Sequence, residues 1–95
     1  DAIFFGPHDF AASAGHPGVW DHPDVLRRIL AMRKVAEKKG MPCGILAFGE
    51  KEARLRRRQG FRMISVGIDT VLMIRTLQRM MAALGRPVPS SVWDE

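Results

Sequence analysis

The sequence has little cysteine and no long hydrophobic run. Cys43 is its single cysteine, which excludes an internal disulfide and any multi-cysteine zinc site and is typical of a reducing compartment. No apolar run approaches the roughly 20 residues that a membrane-spanning helix requires, and no charged leader precedes an apolar signal core. We therefore expect a cytoplasmic protein with no membrane partner.

The composition is that of a folded globular chain, with 46% hydrophobic and 26% charged residues. The formal net charge is +5, and a basic chain attracts nucleic acid, anionic membranes or anionic substrates without choosing among them. The first residues, Asp1-Ala2-Ile3-Phe4-Phe5, include no initiating methionine and no solvated segment. We expect a fragment that starts at or just before a strand.

Three short β-like runs are each followed by a helical pattern, which predicts βαβ units and a parallel sheet. The runs are Ile3–Phe5, Cys43–Ala47 and Met63–Val66. Each is apolar without clean alternation, as is typical of strands that are covered on both faces. Because a three-stranded sheet leaves two bare edges, we expect further strands from a missing N-terminal part or from other copies of the chain.

The helical patterns have recognisable ends. The first begins near His22-Pro23-Asp24 and ends at Gly40, and the second covers roughly residues 50–59. The third can be capped by Asp69 and stops at Gly85. Its inward positions are predicted to be Met73, Leu77, Met80, Met81 and Leu84. Residues 9–21 are expected to form a long loop, and loops at the carboxyl ends of strands often carry active-site residues in α/β enzymes.

The segment Gly6-Pro7-His8-Asp9-Phe10 follows the first strand and resembles the Gly-Pro-x-Asp-Leu segment of the HpcH/HpaI family of class II 2-oxo-acid aldolases. Further landmarks of that family follow in order and at similar spacing. They are Gly15-His16-Pro17-Gly18, His22-Pro23-Asp24-Val25, Gly44-Ile45-Leu46 and Val66-Gly67-Ile68-Asp69-Thr70. The resemblance implies an α/β fold made of strands 6 to 8 and their helices from a TIM (β/α)₈ barrel. We expect residues 1–85 to form these three units and residues 86–95 a C-terminal tail.

The resemblance also implies a reaction. Family members of the 4-hydroxy-2-oxoheptanedioate and 2-dehydro-3-deoxyglucarate aldolase type cleave or form 4-hydroxy-2-oxo acids through a pyruvate enolate, with Mg²⁺, Mn²⁺ or Co²⁺. A cation chelated by the 2-oxo and carboxylate oxygens stabilises the enolate as a Lewis acid. The expected partners are pyruvate or an oxaloacetate-like 2-oxo acid, an aldehyde, and other copies of the chain in a hexamer whose last helix packs across subunits.

By resemblance, Asp9 is one of two carboxylate metal ligands, and the second is a glutamate upstream of this chain. Gly6 and His8 correspond to the substrate-binding loop, whose backbone N–H groups hold the substrate carboxylate. Leu46 corresponds to a residue on the aldehyde side of the pocket. The catalytic histidine and the oxyanion-stabilising arginine also lie upstream, so no catalytic residue is assigned here and the isolated fragment is expected to be inactive.

Two positions depart from the family pattern, because His8 replaces a small residue and Phe10 replaces leucine. The ring of His8 makes the aldehyde preference an open question. An aspartate after Gly-Pro is also a common turn former, and Asp9 alone does not distinguish that interpretation from a metal ligand. The landmarks around it favour the ligand.

The second helix carries a basic cluster, which supports a different class of function. Its members are Arg54, Arg56, Arg57 and Arg58. Arginine density of this kind favours nucleic acid, but an outer barrel helix also needs a solvated face and no recognition pattern accompanies the cluster. We therefore predict a solvated face and no nucleic-acid partner. The alternative is a non-enzymatic βα assembly module whose basic helix binds an acidic partner or nucleic acid.

The three histidines, His8, His16 and His22, have no i, i+4 pair that would place two ligands on one helical face. We interpret His16 and His22 as part of the loop and of the start of the first helix. Cys43 begins a strand that is predicted to be buried, and its thiol is expected to be inert.

Overall fold

A computed structural model describes residues 1–90 of the chain. Three strands and four helices follow one another in this part of the chain. They are β1 (Ile3–Phe5), α1 (Pro7–Ser13), α2 (Pro23–Lys38), β2 (Cys43–Ala47), α3 (Glu50–Arg58), β3 (Met63–Val66) and α4 (Asp69–Ala83). The bounds of all three strands agree with the prediction. Residues 86–90 have no regular secondary structure.

The strands form one parallel sheet in the order β1-β2-β3. Ile3 pairs with Cys43, and Gly44 pairs with Met63. The Gly67 N–H group donates a hydrogen bond of 2.6 Å to the Ala47 carbonyl oxygen just beyond the last pair. Because the strands run the same way, their carboxyl ends lie along one edge of the sheet, as expected for a βαβ arrangement.

The ends of α2 and α3 agree with the sequence signals. Pro23 occupies the first turn of α2, and His22 is its N-cap, where Nδ1 accepts a hydrogen bond of 3.1 Å from the Asp24 N–H group. Gly40 and Gly60 follow the C-caps of α2 and α3 with φ of 71° and 97°. That left-handed conformation costs glycine little and a residue with a side chain more.

Two details of the helix prediction were wrong. The predicted loop over residues 9–21 begins with a helix, α1, which has seven residues and is too short to show a periodic pattern. Ala11 of α1 is fully buried in the core beside α2, which explains why this segment becomes helical. The cap of α4 is Ile68, and Asp69 is its first helical residue, whose carboxylate accepts a hydrogen bond of 2.8 Å from the Thr70 N–H group.

The core lies on one face of the sheet. Its members, from the strands, α1, α2 and the loop after α3, are Phe5, Ala11, Val25, Ile29, Ala36, Cys43, Ile45 and Phe61. The opposite face, on which Phe4 and Met63 flank Gly44, leaves those two side chains 48% and 53% exposed. The prediction that the strands are covered on both faces is therefore wrong for residues 1–90. We call this uncovered surface the open face.

The apolar face of α4 is also uncovered. All five positions that were predicted to point inward are exposed, namely Met73, Leu77, Met80, Met81 and Leu84. In α4 the buried residue is Val71. The predicted apolar stripe of α2 is confirmed at Val25, Ile29 and Ala36 but continues onto exposed Met32 and Val35. Among the helices of residues 1–90, none combines the length and apolar character that crossing a membrane requires.

Candidate functional site

The four predicted site residues lie where the parallel strands end. Gly6, His8 and Asp9 follow β1 directly, because Gly6 is the N-cap of α1 and the other two lie in its first turn. Leu46 is the penultimate residue of β2 and is half-buried. The carboxyl edge of a parallel sheet is where α/β proteins bind their ligands. All four residues lie at this edge.

Asp9 presents its carboxylate to solvent. Its side chain is exposed and makes no hydrogen bond or ion pair with any residue between 1 and 90. One carboxylate oxygen, Oδ2, would lie 4.0 Å from a Cβ atom placed on Gly6, so the carboxylate leans toward the Gly6 backbone. A free anionic oxygen donor of this kind suits hard divalent cations.

Three rings from separate segments meet beside Asp9, and we call them the aromatic cluster: His8, Trp20 and Phe48. The His8 and Trp20 rings stack with centroids 4.7 Å apart. Phe48 meets His8 edge-on at 5.2 Å and Trp20 at 5.5 Å. Each such pair contributes roughly 0.5–1.5 kcal/mol beyond area burial. Sequence reasoning noticed His8 but missed Trp20 and Phe48, since the three contacts join segments far apart in the chain.

Phe48 is fixed by its backbone and by its burial. Its side chain is 4% exposed, and its N–H group donates a hydrogen bond of 3.0 Å to Glu52 Oε2 at the start of α3. The other oxygen of Glu52 accepts from Arg56 at 3.1 Å, and Arg56 also donates to Gln59 Oε1 at 2.9 Å. Phe48 of the cluster is therefore held by Glu52, which is itself held by Arg56 in the next turn of α3.

The burial of Arg56 corrects one prediction. Arg56 is 3% exposed, whereas Arg54, Arg57 and Arg58 are exposed as expected for a solvated face. Glu52 lies one helical turn before Arg56 and supplies the counter-charge that makes its burial possible. The basic cluster is therefore smaller at the surface than its sequence suggests.

His16 lies in the loop after α1 and His22 at the start of α2, as predicted. Their rings stack with centroids 3.7 Å apart, and His16 Nε2 lies 3.5 Å from Asp24 Oδ2. The Arg27 guanidinium donates to the Asp24 carboxylate, and this hydrogen bond, helped by the charge of Arg28 at 3.1 Å, lowers the pKa of Asp24 against a smaller opposing effect of desolvation. These contacts tie the loop after α1 to the first turn of α2.

Within residues 1–90, no three histidine, cysteine, aspartate or glutamate side chains converge closely enough to hold a metal ion. Asp9 is therefore one ligand of an incomplete set if a cation binds there. Cys43, in contrast, is buried at the start of β2, as predicted.

The landmarks that suggested a family are matched along most of the chain. Residues 1–76 match the sequence model of the family described as HpcH/HpaI aldolase/citrate lyase. The chain belongs to this family. Curated relatives include the 5-keto-4-deoxy-D-glucarate aldolases of Salmonella arizonae and Salmonella newport, each 45% identical over 69 residues, or 73% of this chain. The match covers 27% of each relative, so the chain spans about a quarter of their length.

Solved structures agree with this assignment. An HpcH/HpaI aldolase/citrate lyase family protein from Burkholderia cenocepacia superposes with a TM-score of 0.83 at 33% identity, over 90% of this chain and 33% of that one. An HpcH/HpaI aldolase from Desulfitobacterium hafniense superposes with a TM-score of 0.80 at 20% identity, over 95% of this chain and 35% of that one. The predicted α/β fold, part of a TIM barrel of the HpcH/HpaI family, is confirmed.

Proposed function

We propose that this HpcH/HpaI family member forms the C-terminal part of a divalent-metal-dependent aldolase. The enzyme would be a carbon–carbon lyase that cleaves or forms 4-hydroxy-2-oxo acids. The observation that carries the proposal is the exposed carboxylate of Asp9, directly after β1, in a chain whose curated relatives are named as aldolases. An exposed carboxylate at this edge of a parallel sheet is accessible to both a metal ion and a substrate.

Asp9 is proposed to hold Mg²⁺, Mn²⁺ or Co²⁺. Its carboxylate is a hard anionic donor without a competing cationic partner in residues 1–90, which fits such an ion. When bound, the ion supplies Lewis-acid stabilisation of the negative charge that develops on the 2-oxo acid. Removing the Asp9 carboxylate should therefore weaken both metal binding and catalysis.

The remaining site residues are proposed to position the substrate. The backbone at Gly6 and His8, next to that of Asp9, would hold the carboxylate of pyruvate or of an oxaloacetate-like acid. The Leu46 side chain is half-buried and would line the side of the pocket that receives the aldehyde.

The rest of the machinery is proposed to come from an N-terminal part of the barrel. A second carboxylate ligand, the general base and the oxyanion-stabilising arginine would all lie there, and the isolated chain would be inactive. The same part would cover the open face and supply strands beside β1 and β3, whose outer edges have no strand partner within residues 1–90.

The larger organisation is proposed along the same lines. Residues 1–85 would be three βα units of the barrel, residues 86–95 a tail, and the whole a cytoplasmic homo-oligomer, a hexamer by family resemblance. The exposed apolar face of α4 supports the oligomer, because a soluble protein rarely leaves such a surface uncovered. Residues 91–95 of the predicted tail lie outside the part of the chain that the structure describes.

The test is pyruvate release from a panel of 4-hydroxy-2-oxo acids by the full-length protein with Mg²⁺ or Mn²⁺. We expect Asp9→Ala and Asp9→Asn to lower kcat/KM by more than about 100-fold, because a direct ligand is lost. Asp21→Asn is the matched control, since Asp21 is an exposed aspartate of the following loop, and it should behave as wild type. Cleavage that is independent of metal, or unchanged in Asp9→Ala, would contradict the proposal.

The non-enzymatic alternative loses support from the contacts of α3. Arg56 is buried against Glu52, and Arg54 lies 3.8 Å from Glu50, so two of the four arginines are paired with acids of their own helix. A nucleic-acid-binding module would show steeply salt-dependent binding that persists in Asp9→Ala. Such binding, combined with no cleavage of any 2-oxo acid, is the result that would favour this alternative.

A further inference from the structure

We infer that Trp20 is a positioning residue for Asp9, acting through the ring of His8. This inference rests on the proposed function, because it assumes that Asp9 holds the divalent cation. Trp20 lies in the loop between α1 and α2 and is not adjacent in the sequence to the end of any strand. The contacts of the aromatic cluster carry the argument.

The beginning of α1 is held by side-chain contacts and not by a cap. Its N-cap, Gly6, has no side chain and so gives no capping hydrogen bond. α1 has seven residues, and a helix of this length does not hold its shape by its own hydrogen bonds. The ring of Pro7 in its first turn is fully buried, and Ala11 joins the core one turn further along. The first turn therefore depends on contacts made by its own side chains.

His8 supplies such contacts. Its ring is stacked on Trp20 at 4.7 Å with an interplanar angle of 27°, and it meets Phe48 edge-on at 5.2 Å. Phe48 is nearly fully buried and bonded through its N–H group to Glu52. His8 is thus enclosed between the fixed ring of Phe48, just after β2, and the indole of Trp20.

His8 is directly followed by Asp9. The two residues share a peptide bond, and the Asp9 carboxylate has no hydrogen bond or ion pair of its own within residues 1–90. Its direction is therefore set by the backbone of the first turn, which the buried ring of Pro7 and the ring of His8 hold in place. A ligand held before the ion arrives binds it more tightly than one that must first be ordered.

The test measures Mn²⁺ binding to the full-length protein directly, by the paramagnetic resonance signal of free Mn²⁺, beside the KM for the 2-oxo acid. We expect Trp20→Ala to weaken Mn²⁺ binding about tenfold and to raise KM more than it lowers kcat. Trp20→Phe keeps a ring at this position and should restore most of the affinity. Val19→Ala, in the same loop but outside the aromatic cluster, is the control and should bind Mn²⁺ as wild type does.

The outcomes separate this inference from the proposed function. If Asp9→Ala abolishes Mn²⁺ binding while Trp20→Ala binds it with wild-type affinity, Trp20 has no positioning role and the metal site still stands. If wild type does not bind Mn²⁺, or Asp9→Ala binds it equally, both proposals fail. Should Trp20→Ala unfold, Trp20→Leu and Trp20→Phe replace it as the compared pair, and equal affinity in those two would overturn the inference.

Discussion

Arg56 stabilises α3 through an ion pair that is almost out of contact with water. Its side chain is 4% exposed and that of Glu52 is 21% exposed. Truncating Arg56 leaves the carboxylate of Glu52 without its counter-charge. We expect Arg56→Ala to lower the free energy of unfolding by about 2–4 kcal/mol in a urea titration.

The matched control for that experiment is Arg57→Ala, which removes the same side chain from the next, exposed position of α3. A surface change of this kind is expected to stay within about 0.5 kcal/mol of wild type. Equal effects of the two substitutions would mean that the Glu52–Arg56 pair adds no stability of its own.

Asp24 makes stability depend on acid pH. Its pKa is lowered in the folded chain, first by the hydrogen bond from Arg27 and then by the charge of Arg28, and an unfolded aspartate titrates at about 3.9. Because the folded value is the lower one, the stabilisation is complete above the unfolded pKa and is lost as pH falls through the folded pKa. We expect Asp24→Asn to reduce the fall in Tm that wild type shows when pH is lowered from about 5 to 2.

Asp21→Asn is the control for the pH profile of Asp24→Asn. Asp21→Asn removes a neighbouring exposed carboxylate that has no ion pair in residues 1–90, and its Tm should follow the wild-type pH profile. An Asp24→Asn profile that is parallel to wild type over the same range would show that the Arg27 and Arg28 contacts do not stabilise the folded chain.

The four positions Met73, Leu77, Met80 and Leu84 of α4 recur at helical spacing, and each is more than half exposed. Within the proposed oligomer this face would pack on another subunit. We expect Leu77→Glu to dissociate the oligomer of the full-length protein and so to lower its sedimentation coefficient. The reason is that the interface would bury a charge without a partner. Ala82→Glu adds the same charge at a position of α4 that is exposed but lies outside this apolar face, and it should leave the assembly intact. An unchanged sedimentation coefficient for Leu77→Glu would mean that α4 is not part of the subunit interface.

The helices and strands that were predicted correctly are those whose ends are marked by local residues. The strand bounds and the ends of α2 and α3 were predicted correctly, because proline, glycine and apolar runs act locally at Pro23, Gly40 and Gly60. The helix α1 was missed, because its stability comes from the contact that Ala11 makes with residues far along the chain. The burial of Arg56 was missed for a related reason, since it depends on how α3 lies against β2.

Some residues of the candidate site were predicted from the sequence, and others were found only in the structure. The family resemblance, carried by the motif next to β1 together with the landmarks that follow it, selected Asp9, Gly6 and His8. Topology accounts for their place at the carboxyl edge of the sheet. The aromatic cluster depends on Trp20 and Phe48 arriving from two other segments. No spacing rule in a single sequence connects those positions. The assignments of Asp9, Gly6, His8 and Leu46 remain predictions.

The open face gives a prediction for the whole molecule. Phe4 and Met63 lie about half exposed on it, and the apolar face of α4 adds to this surface. We expect the isolated chain to enhance the fluorescence of an apolar dye such as anilinonaphthalene sulfonate, whereas the full-length protein should do so weakly. Phe4→Ser should reduce the signal of the isolated chain. Equal dye binding by the isolated chain and the full-length protein would mean that nothing else covers this face.

The register of the sheet also sets an order of events during folding. Ile3 pairs with Cys43 across about 40 intervening positions, whereas Gly44 pairs with Met63 across about 20. Closing the longer loop costs roughly 0.6 kcal/mol more in chain entropy, and β1 also has the shortest ladder. We therefore expect the parallel β2-α3-β3 unit to form first, and Asp9 to reach its final place late, when β1 docks onto a sheet that already exists.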